Sequence, residues 1–218
     1  MKLLHTSDWH IGRSLFEFSL LDDQRAFFEQ LCQIIEEQKI DALLISGDLY
    51  DRSMPSAQAV SLLDEMFTTL IRRYHLPILA ISGNHDSPRR VSYGSYLFEQ
   101  SGLYLAGQLK PQLQKITLCD SLGKINFFLL PYFVPAQVRL MYEDSSIHTS
   151  TQALEAIIEH NRDIICPDER NVLLAHGFFM HQHHESEKKY PYSAADLRIR
   201  NFGRYQRSDR SFLLRRAV

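Results

Sequence analysis

Four short clusters of metal-binding side-chain types stand along the chain: Asp8-Trp9-His10, Gly47-Asp48-Leu49-Tyr50-Asp51, Gly83-Asn84-His85-Asp86 and, much later, His176. Carboxylates, imidazoles and an amide oxygen without thiolates suit hard or borderline divalent cations such as Mn²⁺, Mg²⁺, Zn²⁺ or Fe²⁺. Two such ions about 3.5–4 Å apart can activate water and neutralise charge on both the attacking and the leaving oxygen of a phosphoryl group, which is chemistry for cutting phosphate esters. A pair of that kind needs a carboxylate that touches both ions, and Asp48 is chosen for it. Taken singly, each cluster has an ordinary reading: Asp-x-His arises by chance, and GDLYD and GNHD are also what tight turns rich in Gly, Asn and Asp look like. The joint reading rests on their order and on a spacing of roughly 35 to 40 residues between the first three.

The elements that must position these residues follow from hydrophobic periodicity. Residues 2–6, 42–46 and 77–82 are short apolar runs suited to buried strands, and each leads directly into a cluster. Between them, residues 20–38 place Leu20, Leu21, Phe27, Phe28, Leu31, Ile34 and Ile35 at helical spacing, and the stretch after Pro55 places Val60, Leu63, Phe67, Leu70 and Ile71 on one helical face. This β-loop-α alternation predicts an α/β layered fold with a largely parallel first sheet. A helix is expected near residues 93–100. Beyond it, residues 112–119 and 124–130 flank Asp120-Ser121-Leu122-Gly123 as a hairpin, where a mixed or antiparallel second sheet is expected to begin. Residues 151–161 read as a helix, and residues 171–175 as a strand that ends at His176-Gly177. In α/β sheets ligands gather beyond the carboxyl ends of strands, so the four clusters are expected to meet on one rim. The glycines before Asp48 and Asn84 fit sharp turns that bring the next side chain onto that rim.

At 218 residues, with 44% apolar and 23% charged, the chain has the composition of a soluble globular protein with one core. No run approaches the roughly 18–20 apolar residues of a membrane span, and Met1-Lys2-Leu3-Leu4-His5 turns polar before a signal-peptide core could form, so a cytoplasmic location is expected. Cys32, Cys119 and Cys166 show no CxxC spacing; they argue against a disulfide framework or a thiolate zinc site and are expected as core or near-core thiols. The net charge of −2 is unevenly spread, because residues 192–218 hold seven arginines against two aspartates, leaving residues 1–191 at a net −7. Such a body lacks the basic footprint of a protein that grips duplex DNA unaided, so a partner is expected to supply much of the hold if nucleic acid is the substrate.

With these motifs the sequence resembles the calcineurin-like metallophosphoesterases, whose signature runs DxH, GDxxD, GNHD or GNHE, a further histidine and a closing GHxH; four of the five elements are present. More narrowly, KLLHTSDWHIGRSL, LLISGDLYDRSMPSAQAV and ISGNHDSPRR with YGSYLFEQSGLYLAG resemble the nuclease subunits of bacterial SbcCD-type complexes, and the likeness runs from Met1 to about Lys189. The resemblance implies a layered metallophosphoesterase fold with central mixed β-sheets flanked by helices. It implies two divalent metal ions, Mn²⁺ foremost, with Asp8 and His10 on one, Asn84 and His176 on the other, and Asp48 bridging. For His85 it implies a non-ligating catalytic place near the scissile phosphate, where it stabilises the transition state or protonates the leaving oxygen, with Asp86 orienting it. Asp51 reads as structural. The implied activity is that of a DNA exonuclease and endonuclease, with an SbcC-type ATPase as partner, DNA as substrate and a homodimer of the nuclease subunit.

The closing GHxH is absent. His181, His183 and His184 form an HQHH cluster beside Glu185, Glu187, Lys188 and Lys189, which reads as a solvated loop. Upstream of Tyr190 the chain holds ten arginines and seven lysines, whereas its last stretch holds seven arginines and no lysine. That shift is read as a truncated or out-of-frame end of a longer gene, with a basic tail that contacts nucleic acid or a partner, or a divergent C-terminus, as alternatives. The expected division is a C-terminally incomplete phosphoesterase domain over residues 1–190 and an arginine-rich tail over residues 191–218. Beside the nuclease stand two other readings: a truncated, catalytically inactive remnant, and a generic metal-dependent phosphodiesterase or phosphatase.

Overall fold

A strand that is apolar on both faces belongs in a sheet covered on both sides. The computed structural model, which describes residues 1–177, builds two such sheets. Strand β1 (Leu3–Thr6) leads through a small hairpin, β2 (Ser14–Leu15) and β3 (Phe18–Ser19), into helix α1 (Leu21–Gln38). Next come β4 (Ala42–Ser46), α2 (Ala57–Arg72), β5 (Ile78–Ile81), the short helices α3 (Pro88–Val91) and α4 (Ser95–Glu99), and β6 (Leu103–Ala106). These strands pair in the order β1-β4-β5-β6, parallel throughout. The hairpin of β7 (Gln114–Asp120) and β8 (Gly123–Leu130) opens the second sheet. Helices α5 (Pro135–Met141) and α6 (Ser150–His160) then carry the chain to β9 (Arg170–Ala175), which pairs parallel to β8. The expected parallel first sheet and mixed second sheet are both present.

Alternation along each strand assigns every apolar side chain to a layer. Leu43, Ile45, Ile78 and Ala80 meet Phe28, Leu31 and Ile35 of α1 and Leu62, Met66 and Leu70 of α2. Their neighbours Leu44, Leu79 and Ile81 point the other way and meet Ile125, Phe127, Leu129 and Leu174 of the second sheet. On the far side of that sheet, Phe128, Leu130 and Ala175 pack on Val138 of α5 and on Ala153 and Ile157 of α6. The result is four layers, helix on sheet on sheet on helix. Helix starts follow local chemistry: Ser56 caps α2 by accepting from Ala59 N at 3.2 Å, an interaction of about 1 kcal/mol, and Thr149 with Gln152 forms a capping box on α6.

Two expectations need correction. The helix expected near residues 93–100 is confined to Ser95–Glu99, because a turn at residues 92–94 separates it from α3. Of the three thiols only Cys32 is near the core; Cys119 and Cys166 are exposed, the first on the open face of the edge strand β7 and the second in the connection before β9. Among the described residues no helix is long and apolar enough to cross a membrane. The HQHH cluster, the arginine-rich tail and the division at residue 190 lie outside the described residues.

The second sheet is tied at the end away from the rim. Arg170 donates to Asp120 from two nitrogens, at 2.6 and 3.1 Å, and the Met1 ammonium donates to the same carboxylate at 2.9 Å. The guanidinium first, then the ammonium, hold the Asp120 carboxyl well below the usual carboxylate range. A depressed carboxyl stabilises the fold above its unfolded pKa, and that contribution is lost as pH falls through the folded value. Asp120→Asn is therefore expected to lower the urea midpoint at pH 7 and to converge on the wild type as pH falls below about 4. Urea unfolding across a pH series checks this; a gap that stays constant down to low pH contradicts it.

Candidate metal centre

The loops that leave β1 and β4 stay paired past the strand ends. Asp8 N donates to Gly47 O at 3.1 Å, His10 N to Asp48 O at 2.9 Å, Ile11 N to Leu49 O at 2.9 Å and Asp51 N to Ile11 O at 3.2 Å. Trp9 turns the opposite way, buried against Phe27 and Phe67, with its indole N–H donating to Thr6 Oγ1 at 3.1 Å. With the indole anchored in the core, Asp8 and His10 sit in the left-handed region at φ 58° and 45°, and Asp48 joins them at 51°. Asp and His tolerate that region better than most residues, yet each such position costs of order 1–3 kcal/mol and persists where the surroundings over-determine it.

Asp48 stands in the middle of the donors. Its buried Oδ2 lies 3.7 Å from His10 Nε2 and 3.5 Å from His176 Nε2, while its Oδ1 accepts the His85 main-chain N–H at 2.9 Å. Asp8 Oδ1 is 3.9 Å from His10 Nε2 on one side. Asn84 Oδ1 is 3.0 Å from His176 Nε2 on the other. The five residues proposed from the sequence as metal-binding come together from four loops, and the carboxylate and imidazole atoms among the described residues gather as Asp8, Asp48 and His176 and as His10, Asp51 and His85.

This donor set fits divalent cations. His176 Nδ1 donates to Ser46 O at 2.8 Å, since a carbonyl can only accept, so Nε2 of the neutral ring keeps its lone pair. That lone pair and the Asn84 amide oxygen stand 3.0 Å apart, two acceptors that a shared cation, or a proton on Nε2, would bring together. Donors about 2.1 Å from a divalent ion lie about 3.0 Å apart at a right angle, and the observed spacings run from 3.0 to 3.9 Å.

Asp51 has more to do than its structural reading allows. Its Oδ1 lies 3.4 Å from His10 Nδ1, a buried nitrogen with no hydrogen-bond partner of good geometry, and its main-chain oxygen lies 3.0 Å from His85 Nδ1. A carboxylate beside Nδ1 favours the tautomer that leaves Nε2 free for a metal. The same residue fixes the His85 ring, which is exposed and meets the His10 ring edge-on at 4.8 Å between centroids. The clue in the sequence was the second aspartate of GDLYD, three positions after Asp48.

Asp86 behaves differently from the expectation that it orients His85. Its hydrogen bonds go to main-chain amides, those of Leu49 at 3.0 Å, Tyr50 at 2.9 Å and Gly83 at 2.9 Å. Burial pushes its carboxyl above the usual carboxylate range, against the pull of those three amides. Any influence on His85 passes through the loops it ties together, because the ring itself is held by Asp51. Tyr132, which the sequence reading did not single out, adds an aromatic wall 6.3 Å from the His176 ring.

Two glycines let these loops approach. Gly47, at φ 83°, would bring a Cβ within 2.5 Å of His176 Nδ1, and a Cβ on Gly83 would run into the Asp48 carboxylate and its amide nitrogen. Gly83→Ala is therefore expected to cost roughly 1–3 kcal/mol in stability by overpacking and to weaken Mn²⁺ binding, because Asp48 must move. Urea unfolding and a Mn²⁺ titration check both effects; wild-type values in each would show that Asp48 is not held by this contact.

The sequence profile of the calcineurin-like phosphoesterases matches residues 1–207, past the point near Lys189 where the motif likeness ends. The chain is 38% identical over 176 residues to the SbcD component of the nuclease SbcCD from Staphylococcus epidermidis, covering 81% of this chain and 46% of the relative. It is 32% identical over 176 residues to the protein of the same name from Staphylococcus saprophyticus, again covering 81% of this chain and 46% of the relative. The chain spans about half the length of these relatives. With a profile match over most of its length and its polar clusters gathered at one end of two layered sheets, the chain belongs to the calcineurin-like phosphoesterase family.

Proposed function

We propose that this chain carries the phosphodiester-cleaving site of a DNA exonuclease and endonuclease subunit that works with two divalent ions, Mn²⁺ foremost, and with an SbcC-type ATPase in the cytoplasm. The observation that carries the reading is the place of Asp48 Oδ2, 3.7 Å from His10 Nε2 and 3.5 Å from His176 Nε2. In this reading Asp8 and His10 would hold one ion and Asn84 and His176 the other, with Asp48 shared between them. Bound there, the ions supply Lewis-acid activation of water and neutralise charge on the phosphoryl oxygens.

The chain's own residues prepare that chemistry. Ser46 O keeps the proton of His176 on Nδ1, and the Asp51 carboxylate favours the same state in His10. The Asp51 carbonyl holds the Nδ1 proton of His85, so a second proton on Nε2 is the one given to the leaving oxygen or shared with the phosphate. The name of the Staphylococcus relatives, one component of a two-part nuclease, supports a nucleic-acid substrate and a partner protein. The net −7 over residues 1–191 fits a nuclease whose hold on DNA comes largely from that partner and from a second copy of the subunit.

Hydrolysis of bis(p-nitrophenyl) phosphate and of linear duplex DNA by the purified chain with added Mn²⁺ tests the proposal. Cleavage of both supports it. Cleavage of phosphomonoesters in preference would move the site to the phosphatases. No turnover by folded protein with Mn²⁺ bound would overturn the nuclease reading in favour of an inactive relative.

A further inference from the structure

Helix α1 sends one polar side chain into the DxH loop. Gln24 accepts the Gly12 N–H at Oε1, 3.0 Å away, and its Nε2 donates to His10 O at 2.8 Å and to Trp9 O at 3.3 Å. One amide group thus holds three main-chain groups within four consecutive residues. The same helix start is fastened to the loop a second time, since Gln24 N donates to Leu20 O and Leu20 N donates to Arg13 O.

These contacts bear on the two residues with strained backbones. Asp8 and His10 both have left-handed φ, and the carbonyls that Gln24 holds belong to Trp9, between them, and to His10 itself. On the other side the loop is held by the pairing to Gly47, Asp48 and Leu49. Without the amide, one of the two sides that over-determine the loop is gone, and both residues are free to relax toward extended backbone. Relaxation would swing Asp8 Oδ1 and His10 Nε2 away from Asp48 while leaving the sheets and their cores intact.

We propose that Gln24 is a positioning residue that holds Asp8 and His10 in their cation-ready arrangement. The proposal rests on the metal-site reading above and concerns the half of the site built on those two residues. Gln24 touches neither ion nor substrate in it.

The test is Mn²⁺ binding to the whole chain, freed of metal and titrated calorimetrically, for the wild type, Gln24→Met and Gln24→Glu. Methionine fills the same space without hydrogen bonds, and glutamate keeps the acceptor for Gly12 N but cannot donate to the two carbonyls. In both variants the Mn²⁺ dissociation constant is expected to rise by about tenfold or more, the effect usual for residues that orient metal-binding groups, while the unfolding midpoint without metal stays within a few degrees. Added to His10→Ala, Gln24→Met is expected to raise the constant by less than it does alone, because one of the two residues it acts through is already removed. A constant within about twofold of wild type in either folded variant, or full additivity with His10→Ala, overturns the proposal. So does failure of both variants to fold, since Gln24 would then serve the fold and not the pair. A wild-type chain that binds no Mn²⁺ removes the metal-site reading itself, an outcome distinct from a wild type that binds and variants that bind equally well.

Discussion

Asp48→Asn is expected to cut Mn²⁺-dependent phosphodiester turnover by roughly a thousandfold or more, about 4 kcal/mol of transition-state stabilisation. Asparagine has the same shape, so the acceptor for the His85 N–H at 2.9 Å survives and the third loop stays in place. What disappears is the negative charge between His10 and His176, the feature that in the proposed site would let one side chain serve two ions. The metal-free variant is expected to be at least as stable as the wild type, because Asp48 is buried beside Asp86 and, among the described residues, has no lysine or arginine paired with it. Turnover and Mn²⁺ titration on one preparation, with urea unfolding beside them, check the three parts together. An Asp48→Asn variant that still binds two equivalents of Mn²⁺ and turns over normally would remove Asp48 from the centre of the site.

His85→Ala is expected to lower turnover by about 10²- to 10⁴-fold, the usual contribution of a positioned general acid or base, with the Mn²⁺ dissociation constant changed by no more than about twofold. The reason for the split is geometric. The His85 ring is exposed and tied to Asp51 O through Nδ1, whereas the amide contact that orients Asp48 comes from the main chain and survives the substitution. Loss of Mn²⁺ binding in this variant would make His85 a metal-binding residue; unchanged turnover would deny it a catalytic role. The two substitutions thus separate holding the ions from moving the proton.

Much of the fold is legible in the residues alone. Residues 42–46 and 77–82 are apolar at every position that matters, and a run of that kind between helical periods has few places to go except a covered parallel strand. Elements with too few residues to carry a period leave no such trace: α5 has seven residues, and the strands of the β2–β3 hairpin two each. Cys119 and Cys166 depart from their expected places for a related reason, since small apolar residue type says little on an edge strand or in a connection. Asp51 and Gln24 mark a different limit. Gln24 follows two aspartates at the start of an amphipathic helix and looks like any solvated residue there, and only its three contacts set it apart.

The sequence by itself determined the donor types, their order and the strands that deliver them, because metal preference follows from side-chain chemistry and strand burial from hydrophobic pattern. Tertiary structure alone decided how those donors relate: that Asp48 lies between His10 and His176, that Asp86 spends its carboxylate on main-chain amides, and that Asp51 reaches both His10 and His85. Residues 46 and 176 are 130 positions apart, yet Ser46 O sets which nitrogen of His176 keeps its lone pair. A hydrogen bond depends on distances of a few tenths of an ångström, and distances of that kind are fixed by how the two sheets pack and not by any local run of residues.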